Sequence, residues 1–271
     1  MTPPWFELLG CREAPFAKDF APGEVWVPRS LQATFDAALE ALALKYTVSI
    51  TGESGGGKTS LLRAIRHALH GEAYRLSYCH NATLGRRDFY RQLCLALGLA
   101  PAATAAGVFY AVTTHVETLA RDRIHPIFVL DEAHLLHQDT LDHLHILLNY
   151  EWDARALLSL VLVGLPDLDT RLALRRNRSL QSRVQTRLHI PPPVRADTAD
   201  YVRYRLGRVG ADPGLFRDDA VALLHDHTAG TMRDIDRHAV AALRLAARRA
   251  LRAVDAALLD EVLDTAQRGE S

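Results

Sequence analysis

The chain has 271 residues and carries 32 basic against 32 acidic side chains, so its formal net charge is zero. Hydrophobic residues make up 48% of the sequence, which excludes a disordered or low-complexity protein. Its three cysteines contain no CxxC pair, which argues against a disulfide framework or a cysteine zinc site. The N-terminus does not resemble a signal peptide, and the strongest apolar run, 156–165, is far short of the ~20 residues that cross a bilayer. We therefore expect a cytoplasmic protein without a membrane partner.

Short apolar runs alternate with amphipathic stretches along the first 190 residues. The predicted strands lie at 47–51, 74–78, 126–130, 158–164 and 188–190, and the predicted helices at 31–44, 58–70, 87–97, 108–122 and 140–150. This alternation predicts an α/β fold, a parallel sheet with helices on both faces. Three prolines at 191–193 end the pattern, and only helical patterns follow them. A smaller helical domain is expected after the prolines.

A glycine-rich segment, GESGGGKT, follows the first predicted strand and opens the next helix. It matches the phosphate-binding pattern GxxxxGK[ST] in the context that this pattern requires. Glycines let backbone N–H groups converge on phosphate oxygens, and the helix N-terminus adds partial positive charge. We expect Lys58 to reach the β- and γ-phosphates of ATP and Thr59 to coordinate Mg²⁺. The predicted ATP-binding residues of this segment are Gly52, Glu53, Ser54, Gly55, Gly56, Gly57, Lys58, Thr59 and Ser60.

Two carboxylates follow the apolar run Ile-Phe-Val-Leu of the third predicted strand. A buried parallel strand that ends in Asp131 and Glu132 places both acids at the carboxyl edge of the sheet, where the glycine-rich loop also lies. Asp131 is expected to hold Mg²⁺, and Glu132 to activate the attacking water as a general base. The string DEAH suggests a helicase, but a helicase of that type needs two such cores, so we treat His134 as incidental to that comparison.

Arginines are concentrated after the fourth predicted strand. Residues 171–208 contain ten arginines and two aspartates. Arg183 and Arg187 precede the last predicted strand, where an arginine can project into the ATP site of a neighbouring subunit. Arg233 lies in the segment GTMRDID, at the start of a predicted helix, and is expected to contact the γ-phosphate and to distinguish ATP from ADP.

Together, GESGGGKT, FVLDE, QSRVQTRLHI and GTMRDID resemble the motifs of AAA+ ATPases in order and spacing. The segments EAPFAKDF, LVLVGLPDL and ALRAVDAALLDEVLD are similar to the group that contains ExeA-type ATPases and the transposition regulators TnsC, TniB and MuB. The resemblance implies an AAA+ core with a five-stranded parallel sheet and a helical lid. It divides the chain into an N-terminal segment flanking the nucleotide (1–45), the nucleotide-binding domain (46–193) and the lid (194–271).

The resemblance to TnsC implies a homo-oligomer, a filament or ring, that assembles with ATP on duplex DNA. In that group the loop after the second strand follows the DNA backbone, and here it offers Asn81, Thr83, Arg86 and Arg87 for sequence-independent phosphate contacts. The oligomer would recruit a transposase, in some systems with a target-selector protein, and hydrolysis would disassemble it. ExeA-type proteins carry a transmembrane helix after the ATPase, and its absence here favours the transposition group. The alternative is an assembly ATPase of a secretion or envelope complex that does not bind DNA.

Leu165 departs from the pattern of the group, because the residue after the Val-Gly of the fourth strand is commonly polar there. Leucine has no polar side-chain atom to contact the γ-phosphate or a water. Hydrolysis would then be slow, as in a nucleotide-gated switch, or a residue such as Asn149 would replace the missing group. The cluster His134, His137, His143 and His145 lacks a completing cysteine or carboxylate, so we interpret it as surface histidines rather than a zinc site.

Overall fold

The computed structural model describes residues 4–17, 25–69, 71–79, 85–100, 104–150 and 154–269, apart from the side chains of 86, 105 and 267–269. These residues group into two compact units. One comprises Met1–Gln32, Ser54–Ser60 and Pro191–Ser271, and the other comprises Ala33–Glu53 and Leu61–Ile190. None of the described helices is long and apolar enough to cross a membrane.

The second unit contains a five-stranded sheet in the order β2-β3-β4-β1-β5, with all neighbouring strands parallel. Its strands are β1 (Thr47–Thr51), β2 (Tyr74–Cys79), β3 (His125–Leu130), β4 (Ser159–Gly164) and β5 (Val184–His189). Its helices are α1 (Gln32–Ala43), α2 (Lys58–Ala68), α3 (Arg86–Ala96), α4 (Ala105–Arg121), α5 (Gln138–Leu147), α6 (Asp167–Ala173) and α7 (Arg178–Gln181). The first residue of α1 and the first three residues of α2 are grouped with the other unit. The predicted α/β fold with five parallel strands is confirmed.

The burial of each strand follows its place in the sheet. All residues of the central strands β1, β3 and β4 are buried, as expected for strands covered on both faces. The edge strands β2 and β5 each leave several residues exposed. The predicted start of the last strand is wrong, because β5 begins at Val184 rather than at 188. Its polar alternation, VQTRLH, suits an edge strand with one open face, whereas the prediction required a continuous apolar run.

The first unit has a helical core. Its helices are α8 (Arg195–Arg208), α9 (Asp218–Thr228), α10 (Met232–Arg248) and α11 (Ala256–Gly269). The fully buried guanidinium of Arg205 donates hydrogen bonds to the Tyr201 hydroxyl (2.8 Å) and to the carbonyl oxygen of Ala17 (2.6 Å), and lies 3.6 Å from a carboxylate oxygen of Asp236. Burial raises the pKa of the Asp236 carboxyl. Since Ala17 lies in the N-terminal segment before α1, Arg205 joins that segment to this helical core.

Candidate nucleotide site

The glycine-rich loop leaves the sheet at the carboxyl end of β1. The N–H of Gly52 donates to the carbonyl oxygen of Gly164 (3.2 Å), at the end of the neighbouring strand β4. A Cβ on Gly52 would lie 2.8 Å from the Cβ of Ile190, closer than real Cβ atoms approach another atom. The chain therefore needs glycine here, because a side chain would displace the segment that follows β5.

The middle of the loop packs against the first turn of α10. Gly55 has φ +76°, and a Cβ on it would lie 2.3 Å from the Cγ2 of Thr231, the N-cap residue of α10. Gly57 has φ +99°, and its Cβ would lie 3.5 Å from the Cε of Met232. The hydroxyl of Ser60 lies 3.7 Å from the sulfur of Met232. The loop thus adopts a backbone that favours glycine and holds the N-terminus of α10 against itself.

Arg233 is the second residue of α10 and follows directly after the two residues that touch the loop. Its side chain is exposed, and it has no hydrogen bond or ion pair with another described residue. A positive side chain at this place is free to meet an anion bound to the loop. The assignment of Arg233 to the nucleotide's phosphates stays a prediction, with this placement in its favour.

The residues of the loop fit the triphosphate of a nucleotide. The α2 helix begins at Lys58, so its first N–H groups point toward the loop. The side chain of Lys58 is held in a buried position with 8% exposure, whereas Thr59 is exposed. Gly52, Gly55 and Gly57 hold the loop in a conformation that a Cβ would disturb by contact with Ile190, Thr231 and Leu31. Backbone N–H groups of such glycine-rich loops bind phosphate oxygens. Mg²⁺ prefers oxygen ligands and usually combines one or two protein groups with phosphates and waters, which the Thr59 hydroxyl suits.

Asp131 and Glu132 lie at the carboxyl edge of the sheet, immediately after β3. One Asp131 oxygen accepts the N–H of Glu132 (2.9 Å), and the other accepts the hydroxyl of Tyr78, on β2, at 2.5 Å. Burial and this hydrogen bond raise the pKa of the Tyr78 phenol. Glu132 has left-handed backbone angles (φ 53°, ψ 36°), a conformation that is strained in a residue with a side chain. The backbone therefore turns at Glu132 and does not continue in the extended conformation of β3.

The end of β4 meets the turn that follows Glu132. The N–H of Leu165 donates to Nδ1 of His134 (3.3 Å), and a Cβ on Gly164 would lie 3.1 Å from the same nitrogen. His134 therefore places a polar ring beside Leu165, at the end of β4. Asn149 follows α5, the helix that leads from the carboxyl end of β3 to the amino end of β4. The suggestion that Asn149 replaces a polar residue at 165 stays a prediction.

Helix α6 makes hydrogen bonds with two segments at the carboxyl edge of the sheet, the end of β1 and the turn after Glu132. The hydroxyl of Thr51, the last residue of β1, donates to a carboxylate oxygen of Asp169 (2.7 Å). Two residues later, the guanidinium of Arg171 donates to the carbonyl oxygens of His134 and Leu136. The same short helix thus fixes the strand that leads into the glycine-rich loop and the turn that follows the acidic pair.

Arg183 and Arg187 occupy different places, contrary to the prediction that both precede the last strand. Arg183 precedes Val184, the first residue of β5, and Val184 pairs with Thr47 at the amino end of β1. Arg187 lies within β5, opposite Ser49 in the middle of β1, with its side chain exposed. The difference arises because β5 begins four residues earlier than its apolar run. Only Arg183 lies at the rim of the sheet.

The ten arginines of 171–208 do not form one open basic surface. Several are used within the fold: Arg205 is buried, Arg171 binds backbone carbonyls, and four pair with acids. These four pairs are Arg176–Asp142, Arg195–Asp226, Arg203–Asp200 and Arg208–Glu13. Many of the positive charges in this segment are therefore paired or hydrogen-bonded within the chain. The count of ten arginines against two aspartates overstates how basic the surface is.

The predicted DNA-contacting residues are only partly described. Asn81 and Thr83 lie outside the described residues, and for Arg86 the structure gives only its backbone, the first residue of α3. Arg87 is exposed near the start of α3. Arg91, which the sequence analysis did not select, is exposed one turn later, and residues four apart share a face of a helix. Two exposed arginines thus lie one turn apart on the same face of α3.

The comparisons with known proteins agree with this architecture. A family described as an AAA domain matches residues 44–172, which include the glycine-rich loop and the acidic pair. Residues 44–172 thus form an AAA-type P-loop ATPase domain. General secretion pathway protein A of Aeromonas hydrophila is 32% identical to this ATPase over 192 residues, which cover 70% of this chain and 35% of that protein. The chain thus spans about a third of the length of this relative.

Solved structures share the fold of this ATPase. The ORC1 protein of Aeropyrum pernix in complex with DNA is similar with a TM-score of 0.69 and 20% identity, covering 93% of this chain and 69% of that chain. CDC6P of Pyrobaculum aerophilum is similar with a TM-score of 0.64 and 19% identity, covering 88% of this chain and 67% of that chain. The RuvB Holliday junction branch migration motor of Thermotoga maritima is similar with a TM-score of 0.60 and 15% identity, covering 86% of this chain and 69% of that chain. At these identities the likeness concerns the fold alone.

Gly55→Ala is expected to weaken the binding of an ATP analogue about tenfold or more, since a left-handed non-glycine residue costs ~1–2 kcal/mol and the new Cβ collides with Thr231. Gly71→Ala is the matched control, because nothing lies within 4 Å of a Cβ at Gly71. Thr231→Ser removes the colliding methyl group, so the double variant should recover part of the affinity. Isothermal titration calorimetry measures the affinity for the ATP analogue in the unsubstituted protein, in the two single glycine variants and in the double variant. Unchanged affinity in Gly55→Ala would contradict the packing of the loop against α10.

Proposed function

We propose that this ATPase works as a homo-oligomer in which ATP held by one subunit is hydrolysed with the help of Arg183 from the next. The supporting observation is the place of Arg183 at the amino edge of the sheet, beside Thr47, whereas the glycine-rich loop leaves β1 at the carboxyl edge. Five strand residues at about 3.3 Å each separate the two edges by roughly 16 Å. Arg183 therefore serves a nucleotide bound to another copy of the chain.

Within each subunit, the remaining residues bind and orient the nucleotide. The glycine-rich loop and Lys58 hold the phosphates, and Thr59 and Asp131 provide ligands for Mg²⁺. β1 and β3 are separated by β4 alone, so Asp131 and the start of the loop lie about 10 Å apart along the sheet edge. Mg²⁺ supplies charge neutralisation on the phosphate oxygens. Glu132 orients and deprotonates the water, and Arg233 senses the γ-phosphate through α10.

The oligomer is further proposed to assemble on duplex DNA and to regulate transposition, recruiting a transposase directly or with a target-selector protein. Exposed Arg87 and Arg91 on α3 supply phosphate contacts beside the loop after β2. The fold is shared with an ORC1 protein solved in complex with DNA and with a branch migration motor. One subunit offers few phosphate contacts and an assembly repeats them, so strong binding requires the oligomer. Hydrolysis then releases the DNA.

Electron microscopy with an ATP analogue and duplex DNA tests this proposal. The expected result is a filament or ring on DNA that forms with the ATP analogue and not with ADP. A co-sedimentation assay with the purified transposase then tests recruitment. Monomers under all conditions, together with DNA binding that ignores nucleotide, would contradict the proposal.

Reversing two charges on α3, Arg87→Glu with Arg91→Glu, is expected to weaken DNA binding by the ATP-bound assembly. Each phosphate contact contributes about 0.9 to the slope of log affinity against log salt, so the slope should fall by roughly 2. Arg63→Glu with Arg66→Glu, at two exposed arginines of α2, makes the same change in net charge. It is the matched control and should keep most of the slope. Fluorescence anisotropy over a salt series measures this. Equal losses in both proteins would mean that the effect is one of net charge alone.

A second candidate function is the assembly of a secretion or cell-envelope complex without DNA. The observation in its favour is the 32% identity to general secretion pathway protein A over 192 residues. The same experiments separate the two candidates. An oligomer that forms with ATP but leaves duplex DNA unbound, even at low salt, supports this second function.

A further inference from the structure

His134 occupies a distinctive place between the acidic pair and the end of β4. Its side chain is only 10% exposed, and its Nδ1 lies 3.6 Å from a carboxylate oxygen of Glu132. The same nitrogen accepts the N–H of Leu165 at 3.3 Å. The ring also rests on Gly164, where a Cβ would approach Nδ1 to 3.1 Å. A single buried nitrogen therefore faces both Glu132 and the strand end that carries no polar side chain.

The backbone that carries this ring is fixed from outside the turn. The guanidinium of Arg171 donates to the carbonyl oxygens of His134 and Leu136, two charge-assisted hydrogen bonds that hold the turn in one conformation. The side chain of Glu132 is 47% exposed. The imidazole is thus the immobile partner of the pair, and the carboxylate is the group with freedom to move.

A neutral imidazole gives Nδ1 one of two roles, because only one ring nitrogen carries the proton. With the proton on Nε2, the lone pair of Nδ1 accepts the N–H of Leu165 and offers nothing to a carboxylate. With the proton on Nδ1, the ring can donate to the Glu132 carboxylate once that carboxylate moves closer than its present 3.6 Å, and the amide of Leu165 loses its acceptor. The two contacts therefore exclude each other at this atom.

We propose that His134 is the positioning residue for Glu132 and supplies, at the end of β4, the polar group that the side chain of Leu165 lacks. In one tautomer it holds the carboxylate at the end of β4, and in the other it releases the carboxylate toward the water. The exchange is carried by solvent: Nδ1 gives its proton to a water molecule and Nε2 takes one up from water, so the charge of the ring does not change. The proposal rests on the role of Glu132 as the base in ATP hydrolysis.

Two substitutions at His134 test this, since asparagine and glutamine place an amide at different depths. His134→Asn puts both a donor and an acceptor near the place of Nδ1, whereas His134→Gln extends them toward Nε2. Misplacement of a reacting group by about 1 Å can cost 10²-fold. We expect kcat to fall at least tenfold in the glutamine variant and to stay within about threefold in the asparagine variant. KM and the affinity for an ATP analogue should change less than twofold in both.

His145→Gln on α5 is the matched control and should keep full activity. Single-turnover hydrolysis in the Glu132→Gln background provides the second measurement. If His134 acts through Glu132, adding His134→Gln there causes no further loss. An additional loss of tenfold, equal kcat losses in the asparagine and glutamine variants, or a parallel loss of nucleotide affinity would overturn the proposal. Normal hydrolysis by Glu132→Gln alone would instead refute Glu132 as the base, and full activity of His134→Gln would refute only the role of His134.

Discussion

Arg183→Ala is expected to lower ATP hydrolysis by the assembled protein by about 10³–10⁵-fold, the effect of losing a trans-acting arginine in other NTPases. The physical reason is the loss of a positive charge at the γ-phosphate, where negative charge develops during transfer. The affinity of the isolated chain for ATP should not change, because Arg183 lies at the sheet edge opposite its own loop. Steady-state hydrolysis above the assembly concentration, together with nucleotide titration of the monomer, measures both effects.

Arg187→Ala is the matched control, an exposed arginine four residues away within β5. It should retain hydrolysis within a fewfold. A mixture of Arg183→Ala and Glu132→Gln subunits provides a sharper test. At some interfaces the first variant supplies an intact Glu132 and the second an intact Arg183, so two inactive proteins should regain activity when mixed. Absence of any recovery in a mixed assembly would contradict an arginine that acts between subunits.

Glu132→Gln is expected to lower kcat by about 10²–10⁴-fold, the usual contribution of a general base. Glutamine keeps the shape of the side chain and can orient water but cannot accept its proton. ATP binding should persist, so the variant should accumulate as an ATP-bound oligomer. Size-exclusion chromatography with light scattering, alongside a phosphate-release assay, records both results.

Asp139→Asn on α5 is the matched control for Glu132→Gln, since it also removes one exposed negative charge from the region after β3. It should hydrolyse ATP like the unsubstituted protein. Unchanged hydrolysis in Glu132→Gln would remove Glu132 as the base. Loss of ATP binding in that variant would show that the residue supports the fold of the site instead.

Local sequence was sufficient for the elements whose physical signals are contained within a few residues. Strand β1 spans the predicted residues 47–51, because a continuous run of apolar and β-branched residues between a helix and a glycine loop suits a buried parallel strand. The glycine-rich loop was identifiable for the same reason. Its positive φ angles at Gly55 and Gly57 are a backbone requirement that only glycine meets without strain.

Contacts between distant residues could not be predicted in this way. The hydrogen bond from Tyr78 to Asp131 depends on the register of β2 and β3, which pairs Cys79 with Leu130. Sequence contains no direct record of that register. The ring of His134 meets Leu165 only because β3 and β4 are neighbours in the sheet. Strand order was the missing information in both cases.

The charge pattern likewise separates what local sequence specifies from what contacts between distant residues decide. The sequence by itself determined that this protein has a parallel α/β core, a phosphate loop and an acidic strand end, because composition and short-range periodicity specify buried strands and glycine turns. The tertiary structure alone decided which of ten nearby arginines are buried, paired or exposed, and that Arg183 rather than Arg187 lies at the rim of the sheet. The reason is that the environment of a charge is set by residues far away along the chain, such as Asp236 beside Arg205.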